Sequence, residues 1–84
     1  MTNRMKNVSD ESLLRWEFSR THQRVMCAIR AASANSWEVV TIPLWDVGRA
    51  AIESFSTARE ALRRHAAIAA GLRDAGWKLS AYTG

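Results

Sequence analysis

The side chains best suited to nucleophilic chemistry in this 84-residue chain are one cysteine and two histidines. His65 lies in an alanine-rich segment and could act as a base toward the thiol of Cys27 if the fold brought the two within hydrogen-bond reach. Such catalysis also needs a group that orients the base and donors that hold an oxyanion, and the sequence contains no glycine-rich loop that would supply them. We therefore expect His65 to be a hydrogen-bonded core residue, and we expect the protein not to be an enzyme.

The spacing of the remaining candidate residues does not favour metal binding or acid–base catalysis. Structural zinc sites take four ligands in closely spaced pairs, and His22, Cys27 and His65 include no such pair. No phosphate-binding or dinucleotide-binding glycine motif occurs either, so we expect no metal and no cofactor. The carboxylates are scattered among arginines, which favours cross-strand ion pairs over catalysis. They include Glu17, Glu38, Asp46 and Glu53.

The composition is typical of a small basic globular domain. The formal net charge is +4, and ten of the 12 basic residues are arginine, which suits phosphate, carboxylate and aromatic partners. The basic residues are less clustered than in a typical nucleic-acid-binding domain. A single cysteine permits no intrachain disulfide and fits a reducing compartment. No apolar stretch follows the N-terminal charges and no window approaches about 18 apolar residues, so we expect no secretory signal, no transmembrane helix and a cytoplasmic location.

Alternating apolar and polar residues predict a sheet. Residues 13–20, 24–31 and 37–45 alternate, and the short polar stretches between them suit hairpin turns. After a further turn, residues 51–55 could form a short fourth strand. An alternative is a helix over residues 10–32, since apolar residues there also recur at helical spacing. The aromatic and β-branched residues of that segment favour the sheet.

The clearest element is a helix over residues 58–75. Thr57 and Glu60 have the spacing of a capping box, and the segment is rich in alanine. Gly76 supplies the left-handed residue that commonly follows a helix. The apolar arc of this helix is mostly alanine, so the helix can lie close against a sheet. Residues 78–84 could add an edge strand or leave the domain.

Together these elements predict an α+β fold, with a three- to four-stranded antiparallel meander and one C-terminal helix packed on one face. The domain would occupy residues 12–84 after a disordered tail at 1–11. In the segments "LRWEF", "WEV", "ESFSTAREAL" and "LRDAGW" the chain resembles small uncharacterised bacterial proteins built as such a meander followed by one helix. The resemblance spans most of residues 13–77 and implies the fold alone, because it brings no activity, cofactor or catalytic residue.

The strand "WEVVTIPLW", residues 37–45, is apolar on both of its faces. If the helix covers Val40, Ile42 and Leu44, the odd-numbered residues lie on the uncovered face of the sheet. That face then combines tryptophan, methionine and arginine, which are enriched at interfaces, and a two-fold pair of sheets would bury it. We therefore expect a non-catalytic interaction protein that forms a homodimer. The predicted contact residues are Arg15, Arg24, Met26, Arg30, Trp37, Val39 and Trp45.

The alternative function is a regulator that binds single-stranded nucleic acid with the same face. Bases would stack on Trp37 and Trp45, while the arginines would bind phosphates. Carboxylates on neighbouring positions weaken this hypothesis. Pro43 lacks the donor needed within a sheet, so we expect strand pairing beyond it to be one-sided.

Overall fold

The computed structural model of the chain describes residues 12–83, and both the predicted tail at 1–11 and Gly84 lie outside these residues. The elements are β1 (Ser12–Arg20), β2 (Gln23–Ser33), β3 (Ser36–Pro43), β4 (Ala51–Phe55), α1 (Ala58–Asp74) and β5 (Lys78–Thr83). The strands form one antiparallel sheet in the order β4-β3-β2-β1-β5. The α+β prediction is confirmed. The expected three or four strands and the C-terminal position of the helix are wrong, because a fifth strand follows α1.

A two-residue turn at Thr21 and His22 joins β1 to β2, with Arg20 directly opposite Gln23. Thr21 has a φ of 57°, the left-handed conformation that tight hairpin turns require. The alternative helix over 10–32 is therefore wrong for the described part of that range. Its alternating aromatic and β-branched side chains pack from one side of the hairpin instead.

One half of the predicted capping box fixes the start of α1, and the predicted glycine fixes its end. The Thr57 hydroxyl accepts a hydrogen bond from the Glu60 amide at 3.1 Å, which satisfies one of the free donors of the first turn. Gly76 adopts a φ of 93° after the last turn, and the Trp77 amide donates to the Leu72 carbonyl at 2.9 Å. This is the Schellman arrangement. It turns the chain back so that the Trp77 ring joins the core.

The core lies between α1 and the sheet, and the helix packs on β2, β3 and β4. The helix buries three residues there, of which two are alanines, so its backbone can approach the sheet closely. The part of the sheet formed by β1 and β5 is less completely covered on this side. The buried core residues include Trp16, Phe18, Val25, Cys27, Ile29, Val39 and Trp77.

The face of β3 that packs under the helix is opposite to the predicted one. Ser33 pairs with Ser36 next to the β2–β3 turn, but the following pair is Ala31 with Trp37, so β2 has one extra residue at this point. This bulge shifts the register by one residue, and such a shift turns every side chain of a strand to the other face. The odd-numbered residues of β3, Val39 among them, therefore lie under α1. The prediction that the helix covers Val40, Ile42 and Leu44 is wrong.

The strand β4 pairs with β3 only as far as Thr41, where it faces Ala51. Within the described residues, Pro43 therefore has a strand neighbour on one side only, Val25 of β2, as its missing donor predicted. A short 3₁₀ turn at Val47–Arg49 then leads into β4. At the other edge of the sheet, β5 pairs with β1.

Candidate interaction face

The sheet side that faces away from α1, here called the open face, carries four of the seven predicted contact residues. The register places Met26 of β2 beside Glu17 on one neighbour and beside Ile42 on the other. Side chains two residues apart on a strand share a face, so Arg24 lies on this side as well. Arg15 and Arg30 complete the set, so all three arginines and the methionine share one surface.

The centre of the open face is apolar. Ala28, Val40 and Ile52 form one cross-strand row, and Met26 and Ile42 form the next. Ala28 and Val40 are buried, whereas Ile52 is 55% exposed. These five residues are here called the apolar strip. Sequence reasoning missed Val40, Ile42 and Ile52, although the even-numbered alternation of 37–45 and the fourth strand were the signals for them.

One ion pair lies at each end of the apolar strip. The Arg30 Nε donates to Glu38 Oε1 at 2.8 Å, and Arg24 Nη1 lies 3.5 Å from Glu17 Oε1 at the opposite end. The guanidinium groups are exposed, so each pair contributes little to folding stability. The consequence is electrostatic, because each end of the strip presents one positive and one negative charge.

The other three predicted contact residues lie on the helix side, and their predicted position on the open face is wrong. Val39 is 1% exposed in the core, and Trp37 packs against the same core. Trp45 follows β3 and stacks on Trp77 with 6.1 Å between ring centroids and 16° between planes. The Arg20 guanidinium lies 4.7 Å from the Trp77 centroid. Base stacking and phosphate binding on one surface would require tryptophans beside the arginines of the open face. Within the described residues, no tryptophan lies there.

The His65 ring contacts the backbone of Cys27, and the two side chains do not form a nucleophile and base. Cys27 is fully buried, and its Sγ lies 3.5 Å from Thr41 Oγ1. Burial raises the pKa of the Cys27 thiol to about 11, and the hydrogen bond to Thr41 opposes this shift with a smaller effect. His65 Nε2 lies 3.3 Å from the backbone carbonyl of Cys27. Burial lowers the pKa of His65, and the bond to this carbonyl opposes the shift. At neutral pH the thiol is therefore protonated, the imidazole is neutral, and the ring bonds to the peptide group.

Within residues 12–83, the His, Cys, Asp and Glu side chains form no group of three or more that could hold a metal ion. In the same range, α1 is too short and too polar to cross a membrane. No protein-family model, curated protein or solved structure matches the chain. Of the expected resemblance, the structure bears out only the antiparallel meander followed by a helix, with an added strand after the helix.

Proposed function

We propose that this chain is a non-catalytic interaction protein that forms a homodimer through the open face. The observation that carries this proposal is the apolar strip with an Arg–Glu pair at each end. An apolar centre within a polar rim is the usual anatomy of a protein interface. A small domain also leaves much of its surface exposed in the monomer, so association supplies additional burial.

Charge favours a second copy of the chain over a polyanion as the partner. In a face-to-face pair with a two-fold axis between the sheets and perpendicular to β2, the Arg30–Glu38 end of one copy lies over the Arg24–Glu17 end of the other. Each guanidinium can then meet a carboxylate of the partner copy. A nucleic-acid backbone on the same face would meet these two carboxylates as well as the three arginines, so its attraction to the face would be reduced.

The chemistry of the buried thiol supports a role without catalysis. A nucleophilic cysteine is usually a partly exposed thiolate in an electropositive environment. Cys27 is buried, and its pKa is raised to about 11. His65 bonds to a carbonyl rather than to the sulfur atom, so neither residue is arranged to attack a substrate.

The mass in solution tests the proposal, and size-exclusion chromatography with light scattering on nucleic-acid-free protein measures it. We expect about 19 kDa, twice the chain mass of 9.4 kDa. Ile52→Lys places a charge in the apolar strip at a position exposed in the monomer, so it should return the mass to that of one chain without unfolding the domain. Ile42→Lys should do the same from the neighbouring row.

Leu62→Lys is the matched control, because Leu62 is an exposed apolar residue on α1, on the other side of the sheet. It should leave the dimer mass unchanged. A wild-type mass of one chain, or an Ile52→Lys variant that keeps the dimer mass, would contradict the proposed interface. Far-ultraviolet circular dichroism of each variant checks that the fold is retained.

A further inference from the structure

A groove of about 430 Å³ lies on the helix side of the sheet, between α1 and the edge formed by β1 and β5. It exists because α1 packs on β2, β3 and β4 and leaves that edge less covered. Its volume is within the range of small-molecule sites. The groove is on the opposite side of the sheet from the open face, so its occupation does not depend on the proposed dimer.

The walls of the groove are apolar and partly aromatic. Trp16 of β1 and Tyr82 of β5 are directly opposite each other in the strand register. Leu79 lies beside them, and both Leu79 and Tyr82 are exposed. On the helix side, Ala66 lines the groove with only a methyl group. A flat apolar body can therefore lie along the sheet edge beside the helix.

One positive charge lies at this groove. Arg73 is the charged side chain among the lining residues, and its guanidinium lies 5.4 Å from the centroid of the Phe18 ring. Within residues 12–83 no carboxylate lies in ion-pair contact with it. His65, which also lines the groove, is neutral at pH 7 because burial lowers its pKa. The groove is therefore apolar along its length and cationic at one position.

We propose that this groove binds a small aromatic carboxylate, with its ring against the exposed Leu79 and Tyr82 above the buried Trp16 and its carboxylate on Arg73. A guanidinium presents two parallel donors that match the two oxygens of a carboxylate. Apolar walls with one oriented polar group are the usual composition of a small-ligand site. A neutral ligand of the same shape would contact the apolar walls but would offer no carboxylate to the Arg73 guanidinium.

Isothermal titration calorimetry with the full chain tests this, using 2-naphthoate and its neutral analogue 2-naphthamide as probes. We expect saturable binding of 2-naphthoate with a Kd of about 1 mM or tighter, the affinity that an apolar ligand of this size can reach. Arg73→Gln should weaken 2-naphthoate about tenfold, as expected for the loss of one charge-assisted pair. The same variant should leave the weaker binding of 2-naphthamide unchanged.

Ala66→Phe should block both probes, because the larger side chain fills the groove. The matched controls are Arg63→Gln and Ala67→Phe, which lie on α1 but line a different concavity, next to β4. Absence of saturable heat would overturn the proposal, and so would equal binding of the two probes to wild type or equal effects of Arg73→Gln and Arg63→Gln. Because all four positions are exposed, circular dichroism should show the wild-type fold in each variant.

Discussion

The two faces of β3 differ in their packing, so replacing Val39 or Val40 with alanine should lower the free energy of unfolding by different amounts. Val39 is 1% exposed beneath α1, whereas Val40 is 8% exposed on the open face, between Ala28 and Ile52 of the neighbouring strands. Val39→Ala removes two methyl groups from a packed core, so the lost transfer energy and the cavity together should cost about 2.5 kcal/mol. Val40→Ala leaves a gap that flexible neighbours and water can fill, so we expect a cost of about 1 kcal/mol.

A difference of this size is measurable by urea unfolding followed by far-ultraviolet circular dichroism. A domain of this length has a free energy of unfolding of roughly 4–13 kcal/mol, so both variants should remain folded. Val39→Ala should lower the Tm by roughly 10–20 °C and Val40→Ala by roughly 4–8 °C. Each valine change is made separately in the Ile52→Lys background, so that dissociation of the proposed dimer does not contribute to the measured difference.

The slope of free energy against urea should be the same in both variants, because neither changes the surface exposed on unfolding by much. Equal losses of unfolding free energy in the two variants, or a larger loss for Val40→Ala, would refute the placement of Val39 under α1. Such a result would mean that α1 covers the even-numbered residues of β3, as simple alternation from the β2–β3 turn suggests.

Two further predictions concern His65 and Cys27. Because burial lowers the pKa of His65 from its usual 6.5, the unfolded chain takes up a proton that the folded chain does not. The free energy of unfolding should therefore fall as the pH drops through about 6.5, and the loss should end below the folded-state pKa. Urea titrations should show a flatter pH profile for His65→Gln, and identical profiles would contradict this. Because burial raises the pKa of Cys27 to about 11, an aromatic disulfide reagent at mildly alkaline pH should label folded protein at a rate that rises with urea. Labelling of the folded protein as fast as that of the urea-unfolded chain would show that the thiol is accessible.

The elements specified by local sequence were predictable. Thr57 at the start of α1 and Gly76 after its end act on residues within one turn, and the structure shows both interactions. The faces of β1 and β2 follow from clear alternation, in which one side is aromatic or aliphatic and the other is mostly charged or small. Their buried residues, such as Phe18 and Cys27, are therefore where the sequence predicts them.

The strand β5 was not predictable with the same certainty, because its formation depends on a distant partner. Its six described residues are all exposed and show no alternation between buried and exposed positions. It pairs with β1 at the other end of the described chain, with Trp16 opposite Tyr82. A strand of this kind is defined by the free edge that it completes and not by its own composition.

The orientation of β3 could not be read from periodicity because both of its faces are apolar. The bulge near Ala31 decides it, and "AAS" at 31–33 contains no glycine to mark the position of a bulge. Errors in the predicted contact residues are accordingly confined to the chain after this bulge. The strand β3 therefore contributes Val40 and Ile42 to the apolar strip of the open face, and a substitution of Trp37 tests the packing of the core under α1 and not the contact between copies.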